Sequence, residues 1–143
     1  VTYDNLGIIG ADGHKTKWYD PVKRANAVVR SYQKYLMNAE NLGVIAAGDA
    51  DGLISGDEKI ESGAFRELAK VNSENAIVGC FDYTGKTMLF VMNGDYEKET
   101  EVELLFDAPR GFDIILDSEI SFLTGDKITA KMKKGASFIA ILR

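Results

Sequence analysis

The feature that most constrains this chain is a change in the period of its apolar residues. Up to about residue 40 they recur at steps of three and four, whereas from Gly79 onward they alternate at a period of two, with turn residues about every ten positions. The first pattern suits one helix on a surface. The second suits many short antiparallel strands, each showing one face to a core. The chain is therefore predicted to be mainly β: an antiparallel β-sandwich of about seven or eight strands, preceded by one amphipathic α-helix.

The helix is predicted from Pro21 to about Asn38. Asp20 can accept hydrogen bonds from first-turn amides, and Pro21 at the first helical position forfeits no needed donor. Val22, Ala25, Val29, Tyr32 and Leu36 then form one stripe. Before it, the short apolar run Leu6 to Ile9 leads into a turn at Gly10 to Gly13. Seven strands are read: 76–83, 87–93, 100–106, 112–116, 120–123, 127–132 and 137–142. Turns at Thr84-Gly85, Gly94-Asp95, Pro109-Arg110-Gly111, Asp117-Ser118, Gly125-Asp126 and Lys134-Gly135 separate them. Residues 64–72 carry helical propensity but are expected to be extended and to enter the same sheet. A boundary between residues 41 and 42 divides an opening segment, 1–41, from the β-sandwich, 42–143.

Composition removes several kinds of chemistry. One cysteine, Cys80, excludes an intrachain disulfide, and one histidine, His14, excludes sites built on a histidine cluster. With 45% hydrophobic residues the chain can form a core. No apolar run reaches the roughly 18 residues of a membrane helix, so no membrane partner is expected. The net charge of −5 divides as +2 over residues 1–40 and −7 over the remainder, so a nucleic-acid backbone would meet repulsion from most of the chain. The lysines and arginines of the predicted helix read as a solvated face.

Three groups of residues are candidates for binding or catalysis. Asp49, Asp51 and Glu58 fall at the third, fifth and twelfth positions of a calcium-loop pattern, with Gly52 at the sixth and Ile54 at the eighth. The first position is Ala47, and the entering residues 43–48 read as strand or loop, so the segment is expected to be an acidic surface turn, with a calcium-dependent interaction domain as an alternative. Tyr83, Tyr96 and Trp18 are candidates for stacking on a sugar ring, the basis of a second alternative, a carbohydrate-binding module. Cys80 lies in a predicted strand and is expected to be a small interior residue rather than a nucleophile, and His14 is expected to face solvent. No pair of residues is assigned the acid and base roles of an enzyme, and no cofactor is implied.

The opening Leu6-Gly-Ile-Ile-Gly-Ala-Asp-Gly-His-Lys-Thr-Lys-Trp-Tyr-Asp-Pro-Val-Lys-Arg-Ala-Asn26 resembles the last strand, turn and helix of the catalytic barrel in beta-galactosidase-like and related glycoside hydrolases. Residues 78–93 and 134–142 are similar to the C-terminal β-sandwich that follows such barrels. The resemblance implies a non-catalytic accessory domain that supports the barrel and serves assembly or substrate positioning. It also implies that the partner is the catalytic barrel of the same parent chain. The catalytic glutamates of those enzymes lie on earlier barrel strands, so no catalytic residue is carried over. On this view the chain, which starts at Val1, is a piece of a longer protein, and the helix either docks on the sandwich or is frayed.

Overall fold

The computed structural model describes residues 13–14, 19–54, 56–117 and 119–143. The run Leu6 to Ile9, most of the turn after it, and Trp18 lie outside the described residues. Helix α1 spans Tyr19–Leu36, two residues earlier at each end than its sequence signals suggested. Its last turn is closed by a side chain: Asn38 Nδ2 donates to the Lys34 carbonyl at 2.7 Å, satisfying an acceptor that the helix end leaves unpaired.

Seven antiparallel strands follow: β1 (Ala39–Gly48), β2 (Leu68–Ser73), β3 (Asn75–Tyr83), β4 (Lys86–Asn93), β5 (Thr100–Leu116), β6 (Glu119–Met132) and β7 (Ser137–Leu142). They form one sheet in the order β1-β3-β4-β7-β5-β2, with β6 on the other side of β5. The boundary read between residues 41 and 42 falls inside β1. Of the 64–72 segment expected to be extended, residues 68–72 enter the sheet in β2, whereas residues 66–67 form a turn with Arg66 at φ +44°.

The sheet is a curled half-barrel rather than a clear sandwich of separate short strands. The difference lies in β5 and β6, each of which was read as two strands. The first part of β5 pairs with β2 through Val102 to Phe106, and its last part pairs with β7 through Phe112 to Ile115. β6 accompanies both parts, with the register shifting between Leu105 and Arg110. Pro109 has no amide hydrogen to give a ladder, but here it falls within that shift, where the ladder is interrupted anyway. On β6, Gly125 takes φ +144°, a conformation that side chains rarely allow, beside the same irregularity. Residues that looked like strand breaks are therefore a bend within a continuous hairpin.

The bend brings the two parts of β5 over one core. Val102, Leu104 and Phe106 pack in the same buried cluster as Phe112, Ile114, Val78, Leu89 and Val91. The Phe106 and Phe112 rings meet with centroids 4.6 Å apart. The loop after β1 folds back onto that strand: Val44 N donates to the Glu58 carbonyl at 2.8 Å, and Ile60 N to the Val44 carbonyl at 2.7 Å. Gly48 permits the tight exit from β1, because its φ is +63° and an added Cβ would lie 2.0 Å from the Glu74 carbonyl oxygen.

A second cluster lies on the outer face, where Tyr32 and Tyr35 of α1 are buried with Met88, Ile115, Ile139 and Ile141. Tyr32 meets Phe90 edge to face at 5.2 Å, and its hydroxyl donates to the Ser137 carbonyl at 2.8 Å. The C-terminal part of α1 is thus docked. The stripe positions Val22, Ala25 and Val29 lie outside the described side chains.

Candidate functional site

The tyrosines proposed as a sugar platform are not neighbours. Tyr83 pairs with Lys86 at the start of β4 and Tyr96 follows the end of that strand at Asn93, so a strand roughly 23 Å long at the usual rise per residue separates their turns. Tyr83 also packs against Tyr35 of α1, with ring centroids 5.8 Å apart. Beside it, the Thr84-Gly85 turn is held by Asp82, whose Oδ1 accepts from Gly85 N at 2.8 Å and whose Oδ2 pairs with Arg66 at 2.8 Å. The Arg66 hydrogen bond, followed by that from Gly85, holds the Asp82 carboxyl below its ordinary range.

Tyr96 is 84% exposed. The loop presenting it is strongly pinned. Asp95 N donates to Asn93 Oδ1 at 2.8 Å, and Asp95 Oδ1 accepts from Glu97 N and Lys98 N at 2.8 and 3.2 Å. Tyr96 is thus more exposed than the half-covered Tyr83.

The acidic segment adopts a short 3-10 turn at Asp49–Leu53 rather than the start of a helix-flanked loop. The Asp51 carboxylate forms an ion pair with Lys59. Glu58 contributes its backbone carbonyl to Val44. Among the described residues no three His, Cys, Asp or Glu side chains converge as a metal would require, so Asp49, Asp51 and Glu58 are not brought together.

Cys80 has no accessible surface, and burial pushes its thiol up to about 12. It is therefore protonated at neutral pH and unsuited to nucleophilic attack. Iodoacetamide at pH 8 is expected to leave Cys80 unmodified in the folded protein and to alkylate it fully in urea, as read by intact mass. Rapid alkylation of the folded chain would contradict this burial. His14 is exposed.

Two apolar surface features were not anticipated. The β5–β6 hairpin exposes Leu116, Ile120, Phe122 and Leu123, with Ile120 at 60% and Phe122 at 50% exposure. Arg143 lies 4.3 Å over the Phe122 ring while pairing with Asp113 at 2.9 Å. A groove of about 220 Å³ lies beside α1 on the same outer face, lined by Leu36, Val44, Phe81, Phe90 and Met92 among others. The sequence signal for the first was present but ambiguous: Ile120, Phe122 and Leu123 occupy both parities of one strand, which reads as a buried strand, whereas little packs over this end of β6.

The fold defines a mainly β chain whose single curled sheet carries one docked helix. Comparison with known protein families, with curated proteins and with solved structures finds no match.

Proposed function

We propose that this chain is a non-catalytic accessory β-domain of a glycoside hydrolase, following the enzyme's catalytic barrel and supporting it. The observation that carries this reading is the seating of Tyr32 and Tyr35 on the outer face of the sheet. The segment that resembles the end of a barrel runs in sequence directly into this helix, whose C-terminal part is docked on the sheet. The exposed apolar residues of β6 and the groove beside α1 then suit a surface that meets the barrel.

The reading is tested by extending the chain upstream of Val1 along its coding sequence and assaying both forms. The longer polypeptide is expected to contribute two barrel-strand carboxylates and to hydrolyse aryl glycosides. An upstream sequence that forms no barrel would overturn the reading.

A second reading, carbohydrate binding, is favoured only by the exposure of Tyr96 on its pinned loop. Titration with oligosaccharides to millimolar concentration is expected to shift Tyr96 ring resonances if this loop binds sugar. An unchanged spectrum removes the reading.

A further inference from the structure

Asn93 and Gly94 form the one Asn-Gly pair in the chain, the dipeptide whose backbone offers least steric resistance to cyclisation and loss of the side-chain amide. Asn93 is 5% exposed. Its Nδ2 faces three backbone carbonyls, those of Lys98, Met132 and Lys133, at 3.1, 3.1 and 3.0 Å, and its Oδ1 accepts from Asp95 N at 2.8 Å. Three acceptors around one atom and a backbone donor at the other fix which is nitrogen and which is oxygen. The main chain is held as well: Asn93 N donates to the Ala136 carbonyl at 3.0 Å, and Gly94 N to the Asn75 carbonyl at 3.1 Å.

We propose that Asn93-Gly94 is a deamidation site gated by the fold, closed to reaction in the native state and, once reacted, unable to rebuild it. In the reaction the deprotonated Gly94 nitrogen attacks Asn93 Cγ. The Cγ–Nδ2 bond breaks, ammonia leaves with a proton from water, and a succinimide forms. Water then opens the ring at either carbonyl, giving aspartate or isoaspartate. The net change is exchange of ammonia for water, with no oxidant or reductant.

The native structure opposes each step. The attacking nitrogen donates to the Asn75 carbonyl, and the two hydrogens of the leaving amide are shared among three carbonyls. Local or global opening removes both restraints together. The product cannot take the same place, because a carboxylate oxygen would then face three carbonyl oxygens with no hydrogen between them, in a buried site. The Asn93 side chain also links the β4–β5 loop to the β6–β7 turn, alongside the bond from Gly135 N to the Asp95 carbonyl at 3.3 Å, so both lose a shared anchor.

The test compares the intact chain in mildly alkaline buffer with the same chain in urea, following deamidation at Asn93 by peptide mass and refolding each sample. Reaction in the folded chain should be at least about a hundredfold slower, because opened molecules are only about 10⁻³ to 10⁻⁶ of a stable domain. After refolding, the native fraction should contain unmodified Asn93, and the fraction that fails to refold should contain the aspartate and isoaspartate forms. Equal rates in the folded and unfolded chain would overturn the proposal. So would deamidated molecules that refold with the same yield and melting temperature as the unmodified ones.

Discussion

Replacing Phe112 with alanine is expected to lower the unfolding free energy by about 3 to 5 kcal/mol, the range for deleting a large aromatic from a packed core. Phe112 has no exposed surface and lies just after the bend in β5, opposite Leu142 of β7 and Leu123 of β6. Its ring meets Phe106 from the other part of the same strand. The substitution therefore removes contacts from both halves of the curled sheet at the point where they close on each other. Urea unfolding followed by circular dichroism measures the loss. As a control, Ile120→Thr keeps a β-branched residue at a 60% exposed edge position and should change stability by no more than about 0.5 kcal/mol. Similar losses for the two variants would contradict the description of the core.

The second large effect is expected at Tyr32. Tyr32→Ala should cost about 3 kcal/mol or more, through lost burial and the cavity left beside Phe90 in the outer cluster. Amide exchange in residues 30–36 should accelerate as α1 leaves the sheet. Tyr32→Phe keeps the ring against Phe90 and removes the hydroxyl donation to Ser137, so it should cost only about 1 kcal/mol. The two variants separate packing from hydrogen bonding.

The same residue sets a dependence on alkaline pH. Burial, with a smaller contribution from the Asp117 charge, raises the Tyr32 phenol above its ordinary value of 10.0. The folded state then holds this proton more tightly than the unfolded chain. Its contribution is intact below pH 10 and is lost as pH rises through the raised value. Wild-type stability should accordingly fall more steeply above pH 10 than that of Tyr32→Phe, which has no phenol to ionise.

The sequence was legible where a local pattern and its tertiary environment agree. Helix α1 followed its three- and four-residue stripe, and Tyr32 from that stripe is buried. β3, β4 and β7 alternate or run apolar between clear turns. The reading failed where a turn-forming residue acts inside a strand. Pro109 and Gly111 suggested an end to pairing, but a partner strand with its own irregularity at Gly125 carries the ladder past them. Residues 43–48 read only as strand or loop, because Gly43 and the small residues Ala46 and Ala47 have weak strand propensity; pairing with β3 imposes the strand.

The candidate site was less legible than the fold. Tyr83 and Tyr96 each stood beside a turn, and nothing local reveals that their turns lie at opposite ends of one strand. The acidic loop matched a spacing, but spacing does not make carboxylates converge, and Lys59 takes the Asp51 charge. Ile120 and Phe122 are exposed because little packs over this end of β6, a property of the tertiary arrangement rather than of the local sequence.

The most direct measurement is the rate at which this 143-residue chain hydrolyses a panel of chromogenic aryl glycosides, compared with the polypeptide extended upstream of Val1. A rate indistinguishable from buffer is expected for the chain alone, and turnover for the extended form. Turnover by the chain alone would contradict this expectation.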